Sequence, residues 1–208
     1  MAVGVKQYQE TIEYISRLYD FINEKLFNVT LEKPVLTISP DEKNKAYGWI
    51  TKGKLWKENG NDGGMYEINL SAQFLNRPIS EIACTLIHEM CHQWARENGF
   101  KDTARSGSFH NKLFKEIAES HGLSVEYSQG RGWATTNLME STSQLLREFT
   151  DKHPQTLIYR EMPIKPKRVR DVSVRKYVCP DCEISVRATK AVNIVCGDCK
   201  KQLQEEKI

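Results

Sequence analysis

Apolar residues recur at steps of three and four over residues 8–27, where Ile12, Ile15, Tyr19, Ile22 and Leu26 share one face. That period predicts an amphipathic helix. After Pro34 the β-branched run Val35-Leu36-Thr37-Ile38 predicts a strand, ended by Pro40. Residues 46–56, aromatic and broken by Gly48 and Gly53, read as a strand pair or a strand with a turn. The cluster at 59–64 reads as a loop, and the alternation at 66–70 as another strand.

A second helix is expected over about 79–97, opened by Asn76 and Pro78 and stopped by Gly99. A polar loop then leads to a third helix, from about Ser108 to His121, ended by Gly122. Short strands around Gly130-Arg131-Gly132 and a last helix over about 138–149 complete this part. Residues 160–176 hold seven basic and two acidic residues with Pro163 and Pro166, which predicts an extended, solvated linker. Three parts are expected: a domain over 1–158, a basic linker over 159–176 and a cysteine module over 177–208.

The 208 residues are 39% hydrophobic and 27% charged, enough to bury a core and too apolar for a disordered polypeptide. No apolar run approaches the roughly 18 residues of a membrane span, and residues 1–7 have no apolar signal core. A cytoplasmic protein without membrane contact is expected. The net charge of +3 is uneven: residues 1–158 carry 18 Lys/Arg and 20 Asp/Glu, residues 159–208 carry 12 and 7. A basic tail of +5 on a body of −2 points to an anionic partner such as nucleic acid.

The run His88-Glu89-Met90-Cys91-His92 is an H-E-x-x-H motif inside the apolar second helix. Residues i and i+4 share a helix face, so two imidazoles so placed can bind one Zn²⁺ at about 2.0–2.1 Å. Glu89 is offset around the helix and suits a general base that takes a proton from water. The flanking Leu86, Ile87, Met90 and Trp94 would bury this face, where a Glu and two His without a metal would be costly. A catalytic zinc needs a third protein ligand and an open position. Asn98 and Ala95 exclude the metzincin continuation. Glu116, Glu119 and His110, all on the expected third helix, remain candidates.

The stretch Thr85 to His92, followed by Ser108-Phe109-His110-Asn111-Lys112-Leu113-Phe114-Lys115, resembles the SprT-like zinc metallopeptidases, relatives of Spartan. Ala46-Tyr47-Gly48 and the strand at 66–70 are similar to strands of that family. The resemblance extends over nearly the whole sequence and departs from it at Asn111, where many members have Gly. It implies His110 as the third ligand, with Phe114 four residues later, and Glu89 as general base. It implies an α+β fold: a zincin-like domain of a small sheet, the H-E-x-x-H helix and the following ligand helix. It also implies protein substrates on DNA, including DNA–protein crosslinks. His121 and His153 have ordinary readings, at a helix C-terminus and in a loop, and Cys84 and Cys91 read as core.

Four of the six cysteines form two C-x-x-C pairs, Cys179/Cys182 and Cys196/Cys199, separated by 13 residues. Such pairs are metal ligands before they are disulfides in a protein without a secretion signal. With strands expected at 184–189 and 192–195, this predicts a four-cysteine zinc ribbon, with Gly197 suited to a strained turn. A closed four-sulfur shell is structural, so one catalytic and one structural zinc are expected per molecule. Lys165, Lys167, Arg168, Arg170, Arg175 and Lys176 precede the ribbon and are expected to touch phosphates without reading bases. The contrasting expectation is a zinc-stabilised DNA-binding module with weak or vestigial peptidase activity.

Overall fold

The computed structural model describes residues 3–41, 46–155, 157–161 and 174–206. The polypeptide divides into two compact units, 1–162 and 163–208. The first is a mixed α/β unit. Helix α1 (Val3–Leu26) buries Tyr14, Ile15, Leu18, Tyr19 and Ile22, the stripe its sequence period requires. Tyr14 and Phe21 meet Phe149 of α4 (Glu140–Lys152) at 5.5 and 5.3 Å between ring centroids. Past α1, Asn28 and Val29 both take positive φ. The Asn23 side chain braces this turn, donating to the Leu31 carbonyl and accepting from its N–H.

Strand β1 (Val35–Ser39) runs parallel to β5 (Glu67–Ser71), and β2 (Gly48–Ile50) pairs with β5 antiparallel. Ile68 and Leu70 of β5 are buried beside Ile82, Leu86, Ile87 and Met90 of α2 (Ile79–Glu97). The residues at 59–64, expected to form a loop, instead make most of a hairpin, β3 (Trp56–Glu58) with β4 (Asn61–Met65). The physical reason is the Asn59-Gly60 turn, in which Gly60 supplies φ +83°.

A second sheet has the order β6 (Thr103–Ala104), β7 (Phe109–His110), β9 (Gly132–Leu138), β8 (Leu123–Ser128). Helix α3 (Lys112–Ser120) starts four residues later than the sequence period suggests. Asn111 caps it, its side chain accepting from the Phe114 N–H at 3.1 Å. His110 therefore lies on a short strand just before the helix rather than within it.

The second unit holds a three-stranded antiparallel sheet, β11 (Ser185–Ala188), β10 (Arg175–Val178), β12 (Gln204–Glu206), around Tyr177, Cys179, Cys196 and Leu203. The strand expected at 192–195 is reduced to one bridge, Val195 to Gln202. Arg175 and Lys176, read from sequence as linker, belong to the central strand. Among the described residues, no helix is long and apolar enough to cross a membrane.

Candidate metal centres

Helix α2 presents His88 and His92 one turn apart, with ring centroids 5.0 Å from each other. Strand β7 brings His110 to both: its Nε2 lies 3.2 Å from Nε2 of His88 and 3.1 Å from Nε2 of His92. Phe114, fully buried, packs against all three rings at 4.6–4.7 Å. The His110 strand is fixed on both sides, antiparallel to Thr103 and parallel to Gly132. Gly132 takes φ +73°, and a Cβ there would come within 2.1 Å of the His110 carbonyl oxygen, so only glycine fits.

The far side of two rings is held by oxygen. Asp102, 3% exposed, accepts from Nδ1 of His92. Nδ1 of His88 lies 3.3 Å from the Thr136 hydroxyl on β9. A proton on each Nδ1 leaves the Nε2 lone pairs of both rings aimed at His110. Burial pushes the His88 pKa well down, with His92 and His110 adding to it. Burial, then His92, lowers His110 to about 4, while the Arg131 carbonyl acts the other way. His110 Nδ1 is buried without a hydrogen bond of ordinary geometry.

Neutral imidazoles whose lone pairs converge repel unless a cation lies between them. Nitrogens about 2.0–2.1 Å from one tetrahedral ion stand roughly 3.3–3.4 Å apart, close to the spacings observed. The donor set fits zinc. Glu89 is 7% exposed, and its carboxylate makes no hydrogen bond among the described residues. Burial raises its pKa, opposed by His92 and Arg96. Glu116 and Glu119, the other candidates for third ligand, pair with Lys112 and Lys115 on the surface of α3 and do not join the cluster. Trp133 and Tyr127 stack edge to face at 5.3 Å, and Tyr127 is exposed.

Asp102 and Thr136 carry no signal in the linear sequence. Each sits in a polar stretch far from the motif, and only folding brings it to an imidazole.

The second cluster gathers the thiols of Cys179, Cys182, Cys196 and Cys199 within 4.8 Å of one another. Two matched knuckles build it. Cys179 N–H donates to the Ile184 carbonyl at 2.9 Å, and Cys196 N–H to the Lys201 carbonyl at 2.8 Å. Glu183 and Lys200, just after each pair, donate back to Cys179 and Cys196 at 3.0 Å and take φ near +60°. The strain thus falls on Glu183 and Lys200, not on Gly197, where an added Cβ would meet nothing within 4 Å. Backbone N–H groups of Cys199 and Asp198 lower the Cys196 thiol to about 7, favouring thiolate. Sγ of Cys182 and Cys196 are 3.7 Å apart, near the roughly 3.8 Å of two sulfurs on one tetrahedral zinc.

Of the six basic residues expected at phosphates, Lys165, Lys167, Arg168 and Arg170 lie outside the described residues. Arg175 and Lys176 are paired within the ribbon, to Glu205 and Glu206 across the sheet. Strand β12 thus carries the two carboxylates that pair with these cations.

The model of the SprT-like family matches residues 15–131, a span that includes all three histidines and Asp102. No curated protein matches this sequence.

Proposed function

The protein belongs to the SprT-like family, and on that premise we propose that it is a zinc-dependent metalloendopeptidase of zincin type. The observation that carries the reading is the convergence of the His88 and His92 Nε2 atoms at 3.1–3.2 Å from that of His110, beside a buried Glu89 outside the cluster. His88, His92 and His110 would hold the ion. When bound, zinc supplies Lewis acidity toward a peptide carbonyl and makes water more acidic.

Asp102 and Thr136 keep the His92 and His88 rings in the tautomer with a free Nε2. Glu89 acts as the base: its carboxylate accepts a proton from the attacking water and passes it to the leaving amine. A carboxylate whose burial raises its pKa is suited to both halves of that transfer. The four cysteines would hold a second, structural zinc whose binding folds the C-terminal unit.

The substrate class proposed is protein associated with DNA or crosslinked to it. Support comes from the +5 balance of residues 159–208, with Lys165, Lys167, Arg168 and Arg170 as the cations that meet phosphates. The pairing of Arg175 and Lys176 with Glu205 and Glu206 favours a second reading, a peptidase without nucleic-acid contact. DNA binding that weakens with salt and is lost on neutralising those four cations separates the two.

The catalytic reading is tested by comparing wild type and Glu89→Gln at matched zinc content in a protein-cleavage assay, with and without DNA. Loss of at least about 10²-fold is expected in the variant. Equal rates would remove Glu89 from the mechanism.

A further inference from the structure

We infer that the strand carrying His110 is also a binding ridge for single-stranded nucleic acid, where Lys52, Arg105 and Arg131 hold phosphates beside the histidine cluster. The inference rests on the DNA-directed reading above and deepens it, by placing nucleic acid on the first unit itself.

The ridge is built around β7. Arg131 sits between Gly130 and Gly132, which take φ of +84° and +73°. Its carbonyl accepts the His110 N–H at 2.9 Å, and Gly132 pairs with His110. The Arg131 backbone is thereby fixed against the third histidine. Burial and then His92 do most to lower the His110 pKa, and the positive charge of Arg131 adds to them, so that charge is felt at the ring. Phe109, the residue before His110, carries the Arg105 guanidinium 4.9 Å from its ring centroid. The edge of the same ring closes on Gly132, 3.0 Å from where a Cβ there would stand. Lys52, just past β2, ends beside Gly107 in the loop leading into β7, 3.8 Å from where a Cβ would stand.

All three cations are exposed, and among the described residues none has a hydrogen bond or ion pair to its charged group. The segments that carry them, 46–54, 98–115 and 128–136, contain a single acidic residue, Asp102. That carboxylate is buried behind His92. Arg175 and Lys176 of the ribbon, by contrast, have acidic partners built in. Grouped cations without acids raise a positive potential that draws an anion to the mouth of the site. Rings interleave with these charges. Phe109 lies against Arg105 on one side and Gly132 on the other, and Trp133, the next residue, meets exposed Tyr127 edge to face at 5.3 Å. A single strand alternates phosphates with bases free to stack, which matches cations alternating with rings. An acidic polypeptide would use the charges and leave the rings idle. Because Phe109 adjoins His110, a strand seated here presents a protein joined to it for cutting near the junction.

The test reads fluorescence anisotropy of a labelled single-stranded oligonucleotide of about 15 nucleotides on the full-length protein. For single strands each phosphate contact contributes about 0.7 to the slope of log affinity against log salt. Arg105→Gln and Arg131→Gln should each lower that slope by about 0.7, and the triple variant with Lys52→Gln by about two, with binding at least about tenfold weaker. Arg131→Lys keeps the charge and should keep the slope. Tyr127→Ala should weaken binding about fivefold or more at an unchanged slope. Circular dichroism and zinc content confirm that each variant is folded, and the single variants decide the matter if the triple one is not. With Lys165, Lys167, Arg168 and Arg170 all changed to Gln, salt-dependent binding should remain, and adding the triple variant should remove it. An unchanged slope in the triple variant, or binding abolished by the four tail substitutions alone, would overturn the inference and leave the DNA-directed reading in place. So would a triple variant that loses affinity for a labelled oligoglutamate peptide but not for the oligonucleotide, which would assign the ridge to acidic polypeptide. Failure of the metallopeptidase reading would appear separately, as absent protein cleavage by wild type, and would leave this binding result intact.

Discussion

The four thiols come from two short segments, each closed by its own backbone hydrogen bonds over a few residues. The three imidazoles come from a long helix and a two-residue strand, and their alignment depends on a loop aspartate and a threonine from a third element. The first cluster is local. Its core is Tyr177, Leu203 and the cysteines themselves, too little apolar area to fold unaided. The second is set into a core of buried side chains drawn from α1 through α4. On the proposed function, zinc would fold the C-terminal unit, whereas in the other unit the packed core itself brings the three histidines together.

The largest effect expected from that contrast is in the ribbon. Cys179→Ser should unfold the C-terminal unit outright, because the zinc it loses is worth about 10–16 kcal/mol in such modules. Limited proteolysis and amide exchange should show 174–206 unprotected and the first unit unchanged. A C-terminal unit that stays folded without its metal would break the comparison.

Gly132→Ala comes next. The added Cβ collides with the His110 carbonyl, so the β7–β9 pairing must shift, at about 3 kcal/mol or more. The variant should lose zinc at the histidines while retaining the fold of α1 and the first sheet, as read by circular dichroism and metal content. Full zinc occupancy at the histidines would show that the site does not depend on this pairing.

A smaller effect is expected at Asp102→Asn, which keeps the shape and removes the charge behind His92. Zinc affinity at the histidines should fall about 10- to 100-fold, measured by chelator competition, with the ribbon's affinity unmoved. The same weakening in both sites would mean that Asp102 acts on the whole fold.

The smallest concerns His121, whose ring stacks on Phe27 at 4.2 Å. Burial lowers its pKa from the ordinary 6.5, and a hydrogen bond to the Ile117 carbonyl opposes this. The unfolded state therefore takes up this proton at a higher pH than the folded one. The stability it contributes is complete above about 6.5 and is lost as pH falls below that value. His121→Gln should flatten the pH dependence of the melting temperature just below 6.5. An unchanged slope would assign that dependence to other groups.

The same contrast explains what is legible in the sequence. Cysteines three positions apart, twice, declare a shared ligand because the knuckle is local. His88 and His92 declare a common face by their spacing on a helix. His110 has no spacing that marks it, because a loop and β6 intervene; only the resemblance to a family singles it out. Asn111, a departure from that family's pattern, is the cap that starts α3 and leaves His110 on a strand. Asp102 and Thr136 are invisible, since what selects them is proximity after folding. The β3–β4 hairpin escapes notice because its Gly-rich second strand lacks the β-branched residues that mark strands. Arg175 and Lys176 look like linker because their acidic partners lie thirty residues on, at Glu205 and Glu206.

Zinc content of the purified full-length protein, wild type beside His110→Ala, puts the three-imidazole site to its most direct test. Wild type should hold two zinc ions per molecule and the variant about one, with its cysteine-bound ion and C-terminal fold intact. A variant that still binds two with undiminished affinity, or a wild type that binds only one, would contradict it.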